Sequence, residues 1–252
     1  MSLETLLLAA AVAVASGLIG CFAVMRRMTL AADALSHVAL PGIGVALALH
    51  VNPLVGAATM LFFGALLVWA LEDRSRMATE TLIGIVFSAS LAVGSMMTSG
   101  EDLIEALFGR VGALSWTEAA FGLVATAAVI AFVVSRKHSL VVALVSPDIA
   151  RTAGIDIRRL NLIYLQMFAL TVALGLRYLG ALLMGSLIII PAATAKRLAR
   201  NLTEMLAFAA VISVAATLIG AVTAARLHRE TGPVIVTVAA LGFLVSLLKR
   251  QA

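Results

Sequence analysis

Nine apolar runs, separated by short stretches that hold most of the charge, limit what this chain can become. They fall at about 5–25, 31–50, 53–71, 81–98, 117–135, 160–176, 178–195, 204–225 and 233–248. Each run is apolar on all sides, whereas the strands of an outer-membrane barrel would alternate apolar and polar residues. Hydrocarbon admits only backbone that satisfies its own hydrogen bonds, so such runs must be helices. With 62% hydrophobic and 12% charged residues over 252 positions, the chain carries about half the charge of an ordinary soluble domain. Its mean hydropathy is +1.11. The fold class expected is all-α, a polytopic transmembrane helical bundle forming one domain over residues 1–252. A span needs about 20 residues and several runs are shorter, so about 8–9 spans are expected.

Charge placement orients the bundle. With nine alternating spans and the C-terminus in the cytoplasm, six basic clusters fall inside: Arg26/Arg27, Arg74/Arg76, Arg136/Lys137, Arg151/Arg158/Arg159, Lys196/Arg197/Arg200 and Lys249/Arg250. Only Arg110, Arg177, Arg226 and Arg229 fall outside. This is the positive-inside pattern, so the net charge of +5 reports topology and no nucleic-acid partner. An eight-span chain would move only the N-terminus to the other side. The first run lacks a basic segment before it, and reads as a retained span rather than a signal peptide. Cys21, the single cysteine, lies inside that run and reads as a small buried hydrophobe.

The second run carries the chemistry. Asp33 and His37 stand four residues apart in RRMTLAADALSHVALPGIGVALALH, on one face of a helix and one turn apart. A carboxylate and an imidazole converging in this way suit zinc, manganese or iron. An acid near the middle of a membrane helix costs about 2.5–3.5 kcal/mol, which calls for a use or a partner. Counted along a helix from Arg26, the two residues should lie roughly 10 and 16 Å deeper, with His37 near the midplane. Pro41, Gly42 and Gly44 should bend or loosen the helix just beyond them, as in many transport sites. His50 and His228, at outer helix ends, are candidate way-stations; His138 is cytoplasmic.

Two connecting stretches add to this. Asn52-Pro53 makes an outer turn, and the outer loop 98–117 and its border hold the acidic cluster Glu101, Asp102, Glu105 and Glu118. The inner loop 135–159 is too polar to span. Within it Ser146 can cap a short helix, Pro147–Ala153, with Pro147 at its first position, Asp148 in its first turn and Gly154 ending it. Further on, Arg177 should mark the outer turn of a hairpin rich in small residues (Gly175, Gly180, Gly185), with Pro191 kinking its inner end. None of the three lysines lies in a G-x-x-x-x-G-K-[ST] pattern, so ATP driving this chain would be hydrolysed on another subunit.

DALSHVALPG resembles the signature of the membrane permease subunit of bacterial metal-ion ABC importers, the zinc and manganese type. The likeness extends over nearly the whole chain. LGALLMGSLIIIPAATA is similar to that family's VGALLxxxLLxxPAATA segment, and Thr231-Gly232-Pro233 resembles its turn before the last helix. SPDIARTAGID looks like its coupling segment, here about 146–156. The resemblance implies that Asp33 and His37 contact the transported ion, with zinc favoured over manganese or iron. It implies that Pro147, Asp148, Ala150, Ala153 and Gly154 belong to the contact with an ATPase. It further implies a homodimer in the bacterial cytoplasmic membrane, two cytoplasmic ABC ATPase subunits and an extracytoplasmic metal-binding protein. The chain itself would be no enzyme and hold no cofactor. Two rivals remain: a stand-alone secondary metal/proton transporter, and an ABC permease for a metal chelate such as a siderophore.

Overall fold

The computed structural model describes residues 3–75, 77–97, 116–179 and 181–248. The acidic cluster at Glu101, Asp102 and Glu105, together with Arg110 and the Lys249/Arg250 pair, lies outside these residues. Nine long helices and one short one are found among those described: α1 Leu3–Met25, α2 Ala31–Ala48, α3 Pro53–Ser75, α4 Thr79–Met97, α5 Trp116–Val145, α6 Pro147–Thr152, α7 Ile157–Leu179, α8 Ala181–Leu198, α9 Leu202–Leu227 and α10 Thr231–Leu247. Seven of them are long and apolar enough to cross a membrane, and α10 is a shorter apolar helix. Each of the nine apolar runs of the sequence has become one long helix.

Successive long helices alternate in direction, as hydrogen bonds between their ends show. Arg26, just after α1, donates to Asn161 in the second turn of α7, and Asn161 donates to Glu72 near the end of α3. Thr79 at the start of α4 donates to the same Glu72 at 2.6 Å. Arg197 near the end of α8 donates to the carbonyls of Ser246 and Leu247 at the end of α10. Short α6 sits at this same end of the bundle, between α5 and α7. The described basic residues Arg26, Arg27, Arg74, Arg151, Arg158 and Arg159 gather here, whereas Arg177, Arg226 and Arg229 stand at the opposite helix ends.

One expectation is corrected. The stretch from Ser135 is helix rather than loop: α5 runs unbroken to Val145 and carries Arg136, Lys137 and His138. Polar side chains interrupt the apolar run without interrupting the backbone ladder, and Leu140, fully buried, continues the inward face beyond them.

Helices α1 and α2 are the most enclosed of the bundle. Helix α1 packs against α5, α7, α8 and α9, and α2 against α3, α4, α7 and α8. Phe22, Tyr164 and Phe168 are the largest fully buried side chains at their junction. Lipid tails are as apolar as a leucine, so such a bundle is held by close packing rather than by water exclusion. Close approach therefore matters most where backbones meet. A Cβ built on Gly42 would lie 2.2 Å from the carbonyl oxygen of Gly56, and one on Gly56 would lie 2.1 Å from that of Gly42. Helices α2 and α3 thus touch backbone to backbone.

Candidate metal site and the α6 corner

Helix α2 begins only at Ala31, after a hydrogen-bonded turn, so Asp33 lies in its first turn and His37 one turn further. Along the axis they stand about 3 and 9 Å from the helix start, not the 10 and 16 Å counted from Arg26. The correction changes the energetics. A first-turn carboxylate faces unpaired backbone N–H groups and the positive end of the helix dipole, which favours it by about 0.3–1 kcal/mol. Pro41 deprives the His37 carbonyl of its usual donor, yet α2 runs unbroken to Ala48. Gly94 explains part of this. A Cβ there would lie 3.3 Å from both the nitrogen and Cδ of Pro41, so α4 closes directly over the proline.

The two candidate ligands share the uncovered face of an otherwise enclosed helix. Ala31, Ala32, Leu35, Ser36, Val38 and Ala39 are buried, while Asp33 is exposed and His37 is half-buried. Ser36 donates to the Asp33 backbone carbonyl at 2.7 Å, and none of the described residues occupies its carboxylate. The His37 ring stands 5.6 Å from that of Phe87 on α4, tilted by 55°. On the other side, α8 approaches at Gly185, where a Cβ would lie 3.1 Å from Cβ of Asp33. Sequence reading found the pair but missed Phe87 and the specific neighbour Gly185. Gly185 had shown itself only as one of several small residues.

Among the described residues, no group of three or more His, Cys, Asp or Glu side chains is placed to hold a metal. One copy therefore offers one carboxylate and one imidazole, half of the four ligands that zinc usually takes. His50 stands at the far end of α2, about 25 Å along the axis from Asp33. Both His50 and His228 are exposed and left-handed, with φ of 54° and 49°, and neither joins Asp33 and His37 in such a group. Glu118, from the border of the expected acidic cluster, pairs with Arg177 at 3.1 Å. Arg177 is in the last turn of α7, just before the turn it was expected to mark.

Helix α6 forms where Ser146, Pro147 and Gly154 indicated. The Ser146 hydroxyl accepts from the Ile149 N–H at 3.4 Å, Pro147 opens the helix, and Gly154 follows its end at φ +76°. Ala150 is fully buried against the chain itself, so it anchors the helix and the outward surface is made by its neighbours. Pro147, Asp148, Ala153 and Gly154 are exposed, as is Ile149 at 61%. An isoleucine so exposed on a short polar helix offers an apolar knob that the sequence reading did not single out.

The sequence profile described as "ABC 3 transport family" matches residues 1–250. The high-affinity zinc uptake system membrane protein ZnuB of Haemophilus influenzae is 34% identical over 240 residues, covering 92% of this chain and 91% of that protein. The manganese transport system membrane protein MntC of Listeria innocua is 30% identical over 249 residues, covering 97% and 89%. Among solved structures, PsaBC from Streptococcus pneumoniae in complex with Fab superposes with a TM-score of 0.82 at 26% identity, covering 97% of this chain and 90% of the matched one.

Proposed function

This chain belongs to the ABC 3 transport family, and on that premise we propose that it is the membrane permease subunit of an ATP-driven importer of divalent metal ions, with zinc as its principal cargo. The observation that carries this reading is the Asp33/His37 pair on the uncovered face of α2. Two copies meeting on that face bring together two carboxylates and two imidazoles, a ligand set that fits zinc or manganese. The zinc-system relative shares more identity with this chain than the manganese-system one does, which favours zinc.

The end of the bundle that carries α6 and most basic residues is the cytoplasmic end. There the exposed residues Pro147, Asp148, Ile149, Ala153 and Gly154 dock on a cytoplasmic ATPase, one for each copy. ATP is bound and hydrolysed on those partners. At the opposite end an extracytoplasmic binding protein delivers the ion. Alternation between outward and inward exposure of the Asp33/His37 turn then requires two packings of the bundle, biased by the nucleotide state of the ATPases.

The test is uptake of radioactive zinc and of manganese into vesicles holding the chain with its ATPase and binding-protein partners. Uptake that requires ATP and both partners supports the reading, and the ratio of zinc to manganese fixes the cargo. Metal movement by the chain alone, driven by a proton gradient, would establish the secondary-transporter reading instead.

Gly154→Arg tests the α6 surface. Nothing lies within 4 Å of a Cβ at this position, so the new side chain meets no clash. The left-handed φ of +76° adds a strain of about 1–2 kcal/mol, small enough for the chain to fold. ATP-driven uptake is expected to fall to background while copies still pair. Uptake at the unaltered rate in this variant would remove α6 from the ATPase contact.

A further inference from the structure

Resting on the permease reading above, we infer that Asn161 is the joint through which movement of α6 reaches the helix carrying Asp33 and His37. The amide bridges two groups of opposite charge. Its Oδ1 accepts from Arg26 Nη1, and its Nδ2 donates to Glu72 Oε2. Glu72 also accepts from the Thr79 hydroxyl at 2.6 Å. One side chain on α7 therefore ties together the ends of α1, α3 and α4.

Both sides of the joint are stiff. On the α6 side, Ile155 N–H donates to the Ala150 carbonyl at 2.9 Å, and Arg159 N–H donates to the Asp156 carboxylate at 3.0 Å. The four residues between α6 and α7 are thus pinned at each end, and α6 cannot move without the start of α7. On the α2 side, the Arg26 guanidinium also lies 4.3 Å over the ring of fully buried Tyr164, so Arg26 is held on α7 at two points. From Arg26 the chain enters a closed turn. Met28, 2% exposed, donates from its N–H to the Ala23 carbonyl at 2.9 Å and accepts from Ala31 N–H at 3.1 Å. Asp33 is two residues further on. Displacement of Arg26 is passed to the first turn of α2 with little slack.

The joint also has room to work. A cavity of about 450 Å³ lies beside it, between the end of α3 and the segment entering α7, with Trp69, Asp73, Arg151, Ile155 and Arg158 in its wall. The Arg158–Asp73 ion pair at 3.0 Å crosses this wall and is largely exposed, so it closes the cavity loosely.

An amide between a cation and an anion can turn over, and this supplies the test. Arg26→Glu, Glu72→Lys, the two together, and Asn161→Leu are introduced into the assembled complex with its ATPase and binding protein. Each single change, and Asn161→Leu, is expected to lower the metal moved per ATP hydrolysed by about tenfold, with assembly, melting temperature and ATP hydrolysis retained. The double reversal is expected to regain much of that ratio. The turned amide then donates to the carboxylate placed on α1 and accepts from the ammonium placed on α3. A structural role alone would lower melting temperature and transport together, with no recovery on reversal. The inference is overturned if the single changes leave the ratio unaltered, or if the double reversal is no better than the worse single change. If a reversed chain fails to assemble, Asn161→Leu decides by the same ratio. Failure of the unaltered complex to import metal at all would instead overturn the reading on which this inference rests.

Discussion

Asp33→Ala and His37→Ala are each expected to reduce ATP-driven metal uptake by about a hundredfold or more. Removing an outer partner of a metal ligand commonly costs 10–100-fold in affinity, so loss of a ligand itself should reach at least the upper end of that range. The loss is doubled in a paired site, because one substitution removes the same group from both copies. Folding should be nearly untouched. Asp33 is exposed and His37 half-buried, and replacing a first-turn carboxylate forfeits only about 0.3–1 kcal/mol of helix-dipole interaction. Melting temperature and ATPase assembly should therefore stay close to those of the unaltered chain. Calorimetric titration with zinc is the sharper measurement, since it reads the site without the transport cycle. Retention of full zinc binding and uptake in both variants would place the ion path elsewhere in the bundle.

Gly56→Val should act on the same site from a distance, through the fold. The added Cβ would sit 2.1 Å from the Gly42 carbonyl oxygen and 2.6 Å from Cβ of Ala46. Backbone cannot swing aside as a flexible side chain can, so α2 and α3 must separate by about 1 Å along their crossing. Overpacking of a tight core costs typically 1–3 kcal/mol, and a backbone–backbone contact belongs at the upper end or beyond. Lipid gives no return for the apolar surface lost between the helices. The expected result is destabilisation by about 3 kcal/mol, seen as a fall in melting temperature in detergent, with loss of zinc binding. Gly84→Val and Gly242→Val are the controls, because nothing lies within 4 Å of a Cβ at either position. Equal effects at all three positions would mean that helix propensity, not the α2–α3 crossing, decides the outcome.

The division between what was legible in the sequence and what was not follows the range of the forces involved. Long apolar runs are local, and each one emerged as a long helix. Ser146, Pro147 and Gly154 are local too, since a cap, a fixed φ and a left-handed end act within one or two turns, and they placed α6. The extension of α5 to Val145 was hidden because hydropathy drops at Arg136, Lys137 and His138, although nothing there breaks a helix. The depth of Asp33 was misjudged for a related reason: a closed turn around Met28 occupies the residues assumed to be helix. Left-handed backbone at Arg27, His50 and His228 carries no glycine to announce it. Least legible were the neighbours of α2. Gly185, Phe87 and Gly94 meet it through pairings that depend on how distant helices cross, and no local pattern records which of several small residues lies against Asp33. The inward turn of Ala150 is of the same kind.

The division of the ligand set, two donors to a copy, also bears on how such a protein is made. A freshly inserted chain carries half a coordination sphere and cannot retain an ion that takes four donors. Under the proposed pairing, metal affinity appears only when two copies have met. Orphan chains in the membrane then neither sequester a scarce nutrient nor open a leak for it. Assembly and competence become one event, with no separate checkpoint needed.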